Sequence, residues 1–349
     1  MRNIVRAGLY AGVAAFALGV AGQASAQEAT IKAVGTWGNL TNYQKHEGPF
    51  WSNVIEEASG GKIKGEIKPQ TDLGLKGFEI MRLLKQGVFD YAHGVMGYVS
   101  AENAIFDGVD LSALAQDIET ERKVADAYFP VMAKKFEEIY DSKLMQLYPF
   151  PSQNLYCNAE INSIDDLKGK KIRTYTASLG DFVEGVGGTS VTVAFAEVIP
   201  ALQKGVVDCG ITGTMPAYNA KWYQAATHVY KMRVGWGLAF GAINLKKWNS
   251  LSADQQKTLE SEVNKLTDRM WAETAKEDDL AIQCLTGKEC PLGPTGGMTL
   301  VVPSAEDIKK QQKIAQDVIV ARWADRCDAE CVKTWNDVVG PIVGVTASK

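Results

Sequence analysis

The segment D-L-K-G-K-K-I-R (166–173) ends on an arginine, and Tyr175, Thr176 and Ser178 follow it closely. Arg173 has two readings. It is either a solvated residue between a basic turn and an edge strand, or it stands at the mouth of a cleft and holds an anion. A guanidinium suits the second role because its planar fork of N–H donors matches the two oxygens of a carboxylate. Arg173 is therefore the first residue for which the sequence suggests binding chemistry.

Residue patterns for catalysis or metal binding do not occur in the sequence. His46, His93 and His228 lie far apart and outside any H-E-x-x-H frame, which argues against a zinc site. No G-x-S-x-G elbow, Walker loop or C-x-x-C occurs, and the glycines at 185–188 follow a helical pattern, the wrong order for phosphate binding. We predict no metal, no cofactor and no enzyme activity. A secreted α/β hydrolase or lyase stays as an alternative, since catalytic groups converge in space rather than in sequence.

The first 26 residues have the pattern of a secretory signal. Arg2 and Arg6 form a basic start, residues 9–20 an apolar run, and Ala24 to Ala26 a small-residue cleavage site. The apolar run is short for a membrane span, so a retained anchor is the weaker alternative. We predict cleavage after Ala26 and a periplasmic protein.

Size and charge narrow the class further. A mature chain of about 320 residues exceeds what one hydrophobic core usually serves, so two domains are expected. Without Arg2 and Arg6 it has 35 basic against 41 acidic residues, a net charge of −6. This balance argues against a nucleic-acid partner or an anionic membrane surface, both of which need basic patches.

Apolar periodicity predicts two consecutive α/β units. Residues 29–37 alternate as a strand, 49–61 have the apolar spacing of a helix, and 62–69 form the next strand. A second unit starts near residue 153 and repeats strand and helix. The helix predicted from Ser252 to about Ile282 exceeds what one domain needs, so we expect it to cross both.

These elements predict an α/β fold of two hinged lobes with a ligand cleft between them and a long helix spanning both. We assign residues 27–152 plus 241–280 to lobe I, and residues 153–240 plus 281–349 to lobe II.

Three stretches together resemble the periplasmic solute-binding subunits of TRAP transporters, the DctP-like family. They are S-I-D-D-L-K-G-K-K-I-R (163–173), A-F-A-E-V-I-P-A-L-Q-K-G-V-V-D-C (194–209) and I-N-L-K-K-W-N-S-L-S-A-D-Q-Q-K-T-L-E (243–260). L-K-Q-G-V-F-D (84–90) matches a further family motif, so the likeness covers most of the mature chain. It implies the periplasmic binding protein fold, an organic acid ligand and a membrane permease as partner; we also expect a monomer.

The resemblance assigns roles to individual residues. It implies that Arg173 pairs with the ligand carboxylate, that Phe195 packs on the ligand, and that Thr212 stands where an asparagine often contacts it. Glu79 matches an acidic family position. Phe195 could instead be a core residue, and Glu79 a surface or supporting residue.

Other candidates come from their expected place in the fold. Trp37 and Tyr98 follow predicted strands at the cleft edge, where open α/β sheets place their sites. Tyr175 lies two residues past Arg173, on the same face of a strand. Trp236 is the remaining aromatic candidate. Trp37 and Tyr98 could equally serve lobe packing.

Two departures from the family bear on the ligand. Asn154 aligns with a second arginine that many members have, and Gly210 and Gly213 replace bulky polar residues, which we expect to open space. A C4-dicarboxylate would bury a second anion without a cation, at considerable cost. A keto or aromatic monocarboxylate is therefore favoured. A C4-dicarboxylate receptor, a receptor for an ABC-type importer and a sensor-coupled binding protein are the alternatives.

An exported protein can use its cysteines for disulfides. Cys284 and Cys290 flank a short turn-like loop, and Cys327 and Cys331 are equally close, so we predict these two local pairs; cross-pairing between the two segments is the rival. Cys157 and Cys209 are either buried thiols or a third bridge.

Overall fold

A computed structural model describes residues 28–287 and 289–349, and the predicted signal peptide with its cleavage site lies outside the described residues. The chain folds around two mixed β-sheets. The strands are β1 (Ala29–Gly35), β2 (Ile63–Pro69), β3 (Tyr91–Val95), β4 (Ser142–Tyr148), β5 (Gln153–Cys157), β6 (Lys171–Thr174), β7 (Thr189–Thr192), β8 (Cys209–Gly213), β9 (His228–Tyr230), β10 (Ala239–Asn244) and β11 (Thr299–Val301).

Helices cover both sheets. The α-helices are α1 (Ile55–Ala58), α2 (Ile80–Lys85), α3 (Met96–Val99), α4 (Ile118–Tyr140), α5 (Ala177–Gly185), α6 (Val198–Gln203), α7 (Thr214–Asn219), α8 (Leu245–Ser250), α9 (Ala253–Thr286), α10 (Ala305–Ile314), α11 (Ala321–Arg326), α12 (Ala329–Val338) and α13 (Gly340–Val343). Single 3-10 turns and the π-helical segments Asn42–Glu47, Phe50–Val54 and Ala315–Val320 complete them. In the described part of the chain, no helix has the length and apolar character needed to cross a membrane.

The first sheet has the strand order β2-β1-β3-β10-β4. Strands β1, β2 and β3 are parallel, as strands joined by helical crossovers usually are, whereas β10 runs antiparallel to both of its neighbours, β3 and β4. The chain therefore returns to this sheet after building the second one. This return creates one of the connections between the lobes.

The second sheet has the order β11-β9-β5-β8-β6-β7. Strand β6 is parallel to β7 and β8, and β5 is antiparallel to β8 and β9. Strands β5 and β8 are buried along their whole length, and neither Q-N-L-Y-C nor C-G-I-T-G shows the apolar–polar alternation of a strand with one solvated face.

Helix α9 connects the two halves, as its predicted length suggests. It begins with a capping box between Ser252 and Gln255 and runs for 34 residues, or about 50 Å at 1.5 Å per residue. Near its middle, Trp271 donates to the Leu147 carbonyl of the first sheet's β4, at 2.9 Å. Further along, Asp278 accepts from the Ser152 amide and the Thr214 hydroxyl, at 2.9 and 2.6 Å. The two-lobed α/β prediction is confirmed, while the exact residue boundaries of the lobes stay a prediction.

The six cysteines form three disulfides. The local pairs Cys284–Cys290 and Cys327–Cys331 are present, as the short-loop argument predicts. Cys157 and Cys209 form the third bridge between directly paired residues of β5 and β8.

We expect the Cys157–Cys209 bridge to contribute most to stability because it closes the longest loop. Its sequence separation is 52, against 6 for Cys284–Cys290. Loop-closure entropy then predicts losses of about 4 kcal/mol for Cys157→Ala/Cys209→Ala and about 2 kcal/mol for Cys284→Ala/Cys290→Ala. Urea unfolding measures both. Non-reducing peptide mapping checks the pairing first, and any peptide linking 284 or 290 to 327 or 331 would contradict it.

Candidate ligand-binding site

A small cavity of about 30 Å³ lies between residues of the two sheets. It is lined by six of the residues that the sequence singles out: Trp37, Tyr98, Arg173, Tyr175, Phe195 and Thr212. The strands that carry or precede these residues come from both sheets, so the cavity is shared between the lobes. This volume is far below the roughly 300–1,000 Å³ typical of small-molecule sites, so the cavity has to enlarge to admit a ligand, and a compact ligand is favoured.

Arg173 lies on β6 and is only 1% exposed. Two protein carbonyls fix its guanidinium: Nε donates to Val193 at 2.9 Å and Nη1 donates to Ile211 at 2.7 Å. The Tyr175 ring lies beneath it, 4.7 Å from the guanidinium carbon. These contacts hold the side chain in one orientation. The guanidinium N–H groups that bond to neither carbonyl could donate to a carboxylate.

No acidic side chain in the described ranges forms an ion pair with Arg173; the neighbouring groups are phenols and carbonyls. Burial lowers the pKa of Arg173, yet a guanidinium keeps its proton in proteins. A fixed positive charge is thus buried against aromatic rings without an anion. Such a buried charge lowers the stability of the folded protein unless an anion binds to it.

Gln153 and Gly237 support the Tyr175 side. The Tyr175 hydroxyl donates to Gln153 Oε1 at 2.8 Å, and Gln153 Nε2 donates to the Pro151 carbonyl at 2.9 Å. Gly237 has φ +58°, and a Cβ there would lie 2.8 Å from the Tyr175 hydroxyl. Only glycine allows the backbone to approach this closely in the left-handed region.

The opposite wall is aromatic. The Trp37 ring contacts Phe195 at a centroid distance of 5.1 Å, Tyr98 at 6.0 Å and Phe150 at 6.2 Å. Trp37 follows β1 and Tyr98 follows β3, so both stand at the carboxyl ends of parallel strands, where α/β sheets present their sites. Rings arranged this way suit an apolar or flat ligand body.

Three predicted residues lie away from the cavity. Asn154 Nδ2 donates to the Ser152 carbonyl and hydroxyl, at 2.8 and 3.1 Å. The Trp236 indole donates to the Ala115 carbonyl, and Glu79 accepts from the Lys76 amide at the start of α2. On β5, Gln153 lines the cavity, whereas the Asn154 side chain turns back onto Ser152.

The expected open space at Gly210 and Gly213 is wrong. A Cβ at Gly210 would lie 2.8 Å from the Trp222 ring, and one at Gly213 would lie 2.9 Å from the Pro151 carbonyl. Both glycines therefore permit close packing rather than open space, and Gly213 itself lines the cavity.

Sequence reasoning missed most of the other lining residues. They are Leu40, Val95, Phe150, Gln153, Pro216 and Gly237; the remaining lining residue, Gly213, is one of the two glycines that the sequence singles out. Gln153 adjoins the predicted Asn154, and the G-W-G pattern at 235–237 signals an unusual backbone, so these two had a readable signal. The apolar residues look like ordinary core residues in sequence.

A buried hydrogen-bond network holds the base of the Trp37 wall. Glu47 accepts from the Thr36 amide at 2.7 Å, from the Thr36 hydroxyl at 2.9 Å and from the Tyr148 hydroxyl at 2.9 Å. Tyr148 also contacts His93 Nδ1 at 3.0 Å, and Trp51 donates to His93 Nε2 at 3.0 Å. Since Thr36 precedes Trp37, this network fixes the end of β1. Burial raises the pKa of Glu47 to about 7 and lowers the pKa of His93 to about 3.

The raised pKa of Glu47 and the lowered pKa of His93 predict opposite effects of pH on the free energy of unfolding. Substituting Glu47 alone separates the two effects. Folded Glu47 keeps a proton that the unfolded chain releases near pH 4.5, so its contribution to stability falls as pH rises toward 7. His93 acts in the opposite direction, because the unfolded chain protonates it below about pH 6.5. We expect the stability of Glu47→Gln relative to wild type to increase by up to about 3 kcal/mol between pH 4.5 and 7. Urea unfolding across this range measures it, with the exposed Glu57→Gln as control; a constant difference would contradict the shift.

Contacts between the lobes surround the cavity. Lys76 Nζ lies 2.6 Å from Glu197 Oε1, and the Phe195 amide donates to the Tyr98 hydroxyl at 3.3 Å. The Lys76–Glu197 pair is exposed on both sides, so solvent screens it and it contributes little to stability. Because Arg173 is buried, we expect a ligand to reach it only when the lobes separate.

The sequence matches the family model for bacterial extracellular solute-binding proteins, family 7, over residues 35–324. The Salmonella typhimurium protein YiiZ is 27% identical over 230 residues, which cover 61% of this chain and 66% of that protein. The match therefore spans just under two thirds of that relative's length.

Solved structures share the fold. A Bordetella pertussis extracytoplasmic solute receptor that binds pyroglutamic acid has a TM-score of 0.80 at 19% identity, covering 89% of this chain and 99% of the receptor. A marine-metagenome TRAP solute-binding protein in complex with co-purified pyroglutamate has a TM-score of 0.80 at 21% identity, covering 90% and 99%. At such identities the likeness establishes the architecture.

Proposed function

Since the chain belongs to family 7 of the bacterial extracellular solute-binding proteins, we propose that it is the receptor of a TRAP transporter, which binds an organic carboxylate through Arg173 and delivers it to a membrane permease. The family consists of solute-binding proteins rather than enzymes, which agrees with the prediction of no enzyme activity.

The unpaired charge of Arg173 is the observation that carries this proposal. The guanidinium is held by two carbonyls, faces the cavity and lacks a carboxylate partner among the described residues. A ligand carboxylate would supply the missing charge and accept hydrogen bonds from the remaining donors, and charge-assisted bidentate pairs of this kind are strong.

The cavity lining favours a monoanion. Of the described residues that line it, Arg173 alone is charged, and Gln153 presents a neutral amide beside Tyr175. The Thr212 hydroxyl and the Trp37 indole N–H make no hydrogen bond to the described residues, so they are available to a keto oxygen or a similar acceptor. We propose a compact keto or aromatic monocarboxylate; the pyroglutamate of the two similar structures is also a compact monocarboxylate. A C4-dicarboxylate is the alternative.

Calorimetry against pyruvate-like keto acids, benzoate-like acids, pyroglutamate, succinate and malate tests the ligand class. We expect binding of at least one monocarboxylate and at least about tenfold weaker binding of the dicarboxylates, because a second anion would be buried without a cation. Tight binding of succinate or malate with no response to the monocarboxylates would reverse this assignment.

The remaining proposals concern the mature protein. We expect export with cleavage after Ala26 and a monomer without nucleic-acid partners. Mass spectrometry of periplasmic material and light scattering check these points. Adjacent genes for one small and one large membrane permease subunit would favour a TRAP transporter over an ABC-type importer.

A further inference from the structure

One connection between the lobes forms the back wall of the cavity. Residues 234–238, here called the connecting segment, lead from the second sheet into β10. The Gln153 amide donates to the Gly235 carbonyl at 2.8 Å, the Phe150 amide to Trp236 at 3.1 Å and the Met96 amide to Leu238 at 2.9 Å. The segment therefore bonds to the backbone of two cavity residues, Gln153 and Phe150, and to the neighbour of a third, Val95.

The carboxylate of Asp110 holds this segment. It accepts the Gly237 amide at 2.7 Å, the Trp236 amide at 3.3 Å and the Leu238 amide at 3.4 Å. No basic side chain of the described residues pairs with Asp110, so three consecutive amides are its partners. Hydrogen bonds from amides to an ionised acceptor are stronger than neutral ones.

The connecting segment held by Asp110 is two contacts away from Arg173. Gly237 lies against the Tyr175 hydroxyl and Gln153 Nε2, which would be only 2.8 and 2.9 Å from a Cβ at that position. Tyr175 in turn lies under the Arg173 guanidinium at 4.7 Å. A shift of the connecting segment therefore moves the side chains that orient Arg173.

We propose that Asp110 is a positioning residue for ligand binding, which fixes the connecting segment and through Gly237 sets Gln153, Tyr175 and the Arg173 guanidinium. Asp110 is not among the described residues that line the cavity. The proposal rests on the proposed function only in taking the cavity as the ligand site. Sites of this kind depend on supporting residues that hold the contacting groups to within about 0.5 Å.

Asp110→Asn tests the proposal, because it keeps the size of the side chain but removes its charge and one of its two acceptor oxygens. The matched control is Asp117→Asn, which removes a carboxylate that accepts the Thr120 amide at 2.7 Å on the exposed start of α4. Nuclear magnetic resonance of the ligand-free protein reports the amides of residues 236–238, the Gln153 side-chain amide and the Arg173 guanidinium. We expect Asp110→Asn to shift all three sets and Asp117→Asn to shift none.

Calorimetry with pyroglutamate follows. We expect Asp110→Asn to weaken binding by about tenfold and Asp117→Asn to leave it unchanged. If Asp110→Asn does not fold, Asp110→Glu keeps the charge, displaces the carboxylate by one methylene and allows the same comparison. Shifts confined to residues 236–238, with unchanged Gln153 and Arg173 signals, would overturn the proposal. A wild-type protein that binds no organic acid while those signals still shift would refute the proposed function and leave the positioning role standing.

Discussion

Arg173→Ala should abolish measurable binding of the carboxylate ligand while the protein stays folded. The substitution removes the one charged residue that lines the cavity in the described structure. Losing one partner of a buried, hydrogen-bonded charge pair costs about 2–5 kcal/mol, which corresponds to roughly 30-fold to several thousand-fold in affinity. Calorimetry with the best ligand of the panel measures the loss.

The fold should tolerate this change because two effects oppose each other. The Val193 and Ile211 carbonyls lose their donor, which costs stability, but an unpaired buried charge is removed. Circular dichroism and thermal unfolding check this balance.

Arg173→Lys is the matched control. It keeps the charge but cannot satisfy both carbonyls and present a planar fork, so we expect an intermediate affinity. Near wild-type affinity in Arg173→Ala would remove Arg173 from the site.

The architecture could be predicted from sequence because its signals are local. Helix α9 shows a capping box at Ser252 and helical apolar spacing over many turns, and neither depends on the rest of the fold. The sequence singles out Arg173 in the same way, since its motif lies within one turn and one strand, and the structure places it in the cavity lining.

The face of β5 could not be predicted for a physical reason. Gln153 to Cys157 are buried on both faces of the sheet, so the sequence lacks the alternation that would say which residues face the cavity. A prediction that is wrong by one residue therefore assigns Asn154 to the cavity in place of Gln153.

Contacts between distant segments were equally hidden. The space at Gly210 is filled by Trp222, and the direction of the Trp236 side chain depends on the unusual backbone of Gly235 and Gly237. The residues next to Gly210 in sequence do not indicate that the indole of Trp222 packs against it.

Gly237→Ala should weaken ligand binding and destabilise the protein more than a left-handed backbone alone explains. With φ +58°, an added Cβ costs about 1–2 kcal/mol in backbone strain. The methyl would also lie 2.8 Å from the Tyr175 hydroxyl, closer than side-chain carbons approach oxygens. Tyr175 has little freedom to withdraw because it is hydrogen-bonded to Gln153 and lies against Arg173.

Gly205→Ala separates the two effects. Gly205 has φ +66° on the turn after α6, and an added Cβ there meets nothing within 4 Å. We expect it to lower the free energy of unfolding by about 1–2 kcal/mol without changing affinity. Gly237→Ala should lower stability further and weaken ligand binding by at least about tenfold, because the displaced Tyr175 no longer holds the guanidinium in place. Urea unfolding and calorimetry on both variants make the comparison. Equal stability losses with unchanged affinities would show that Tyr175 yields freely and does not orient Arg173.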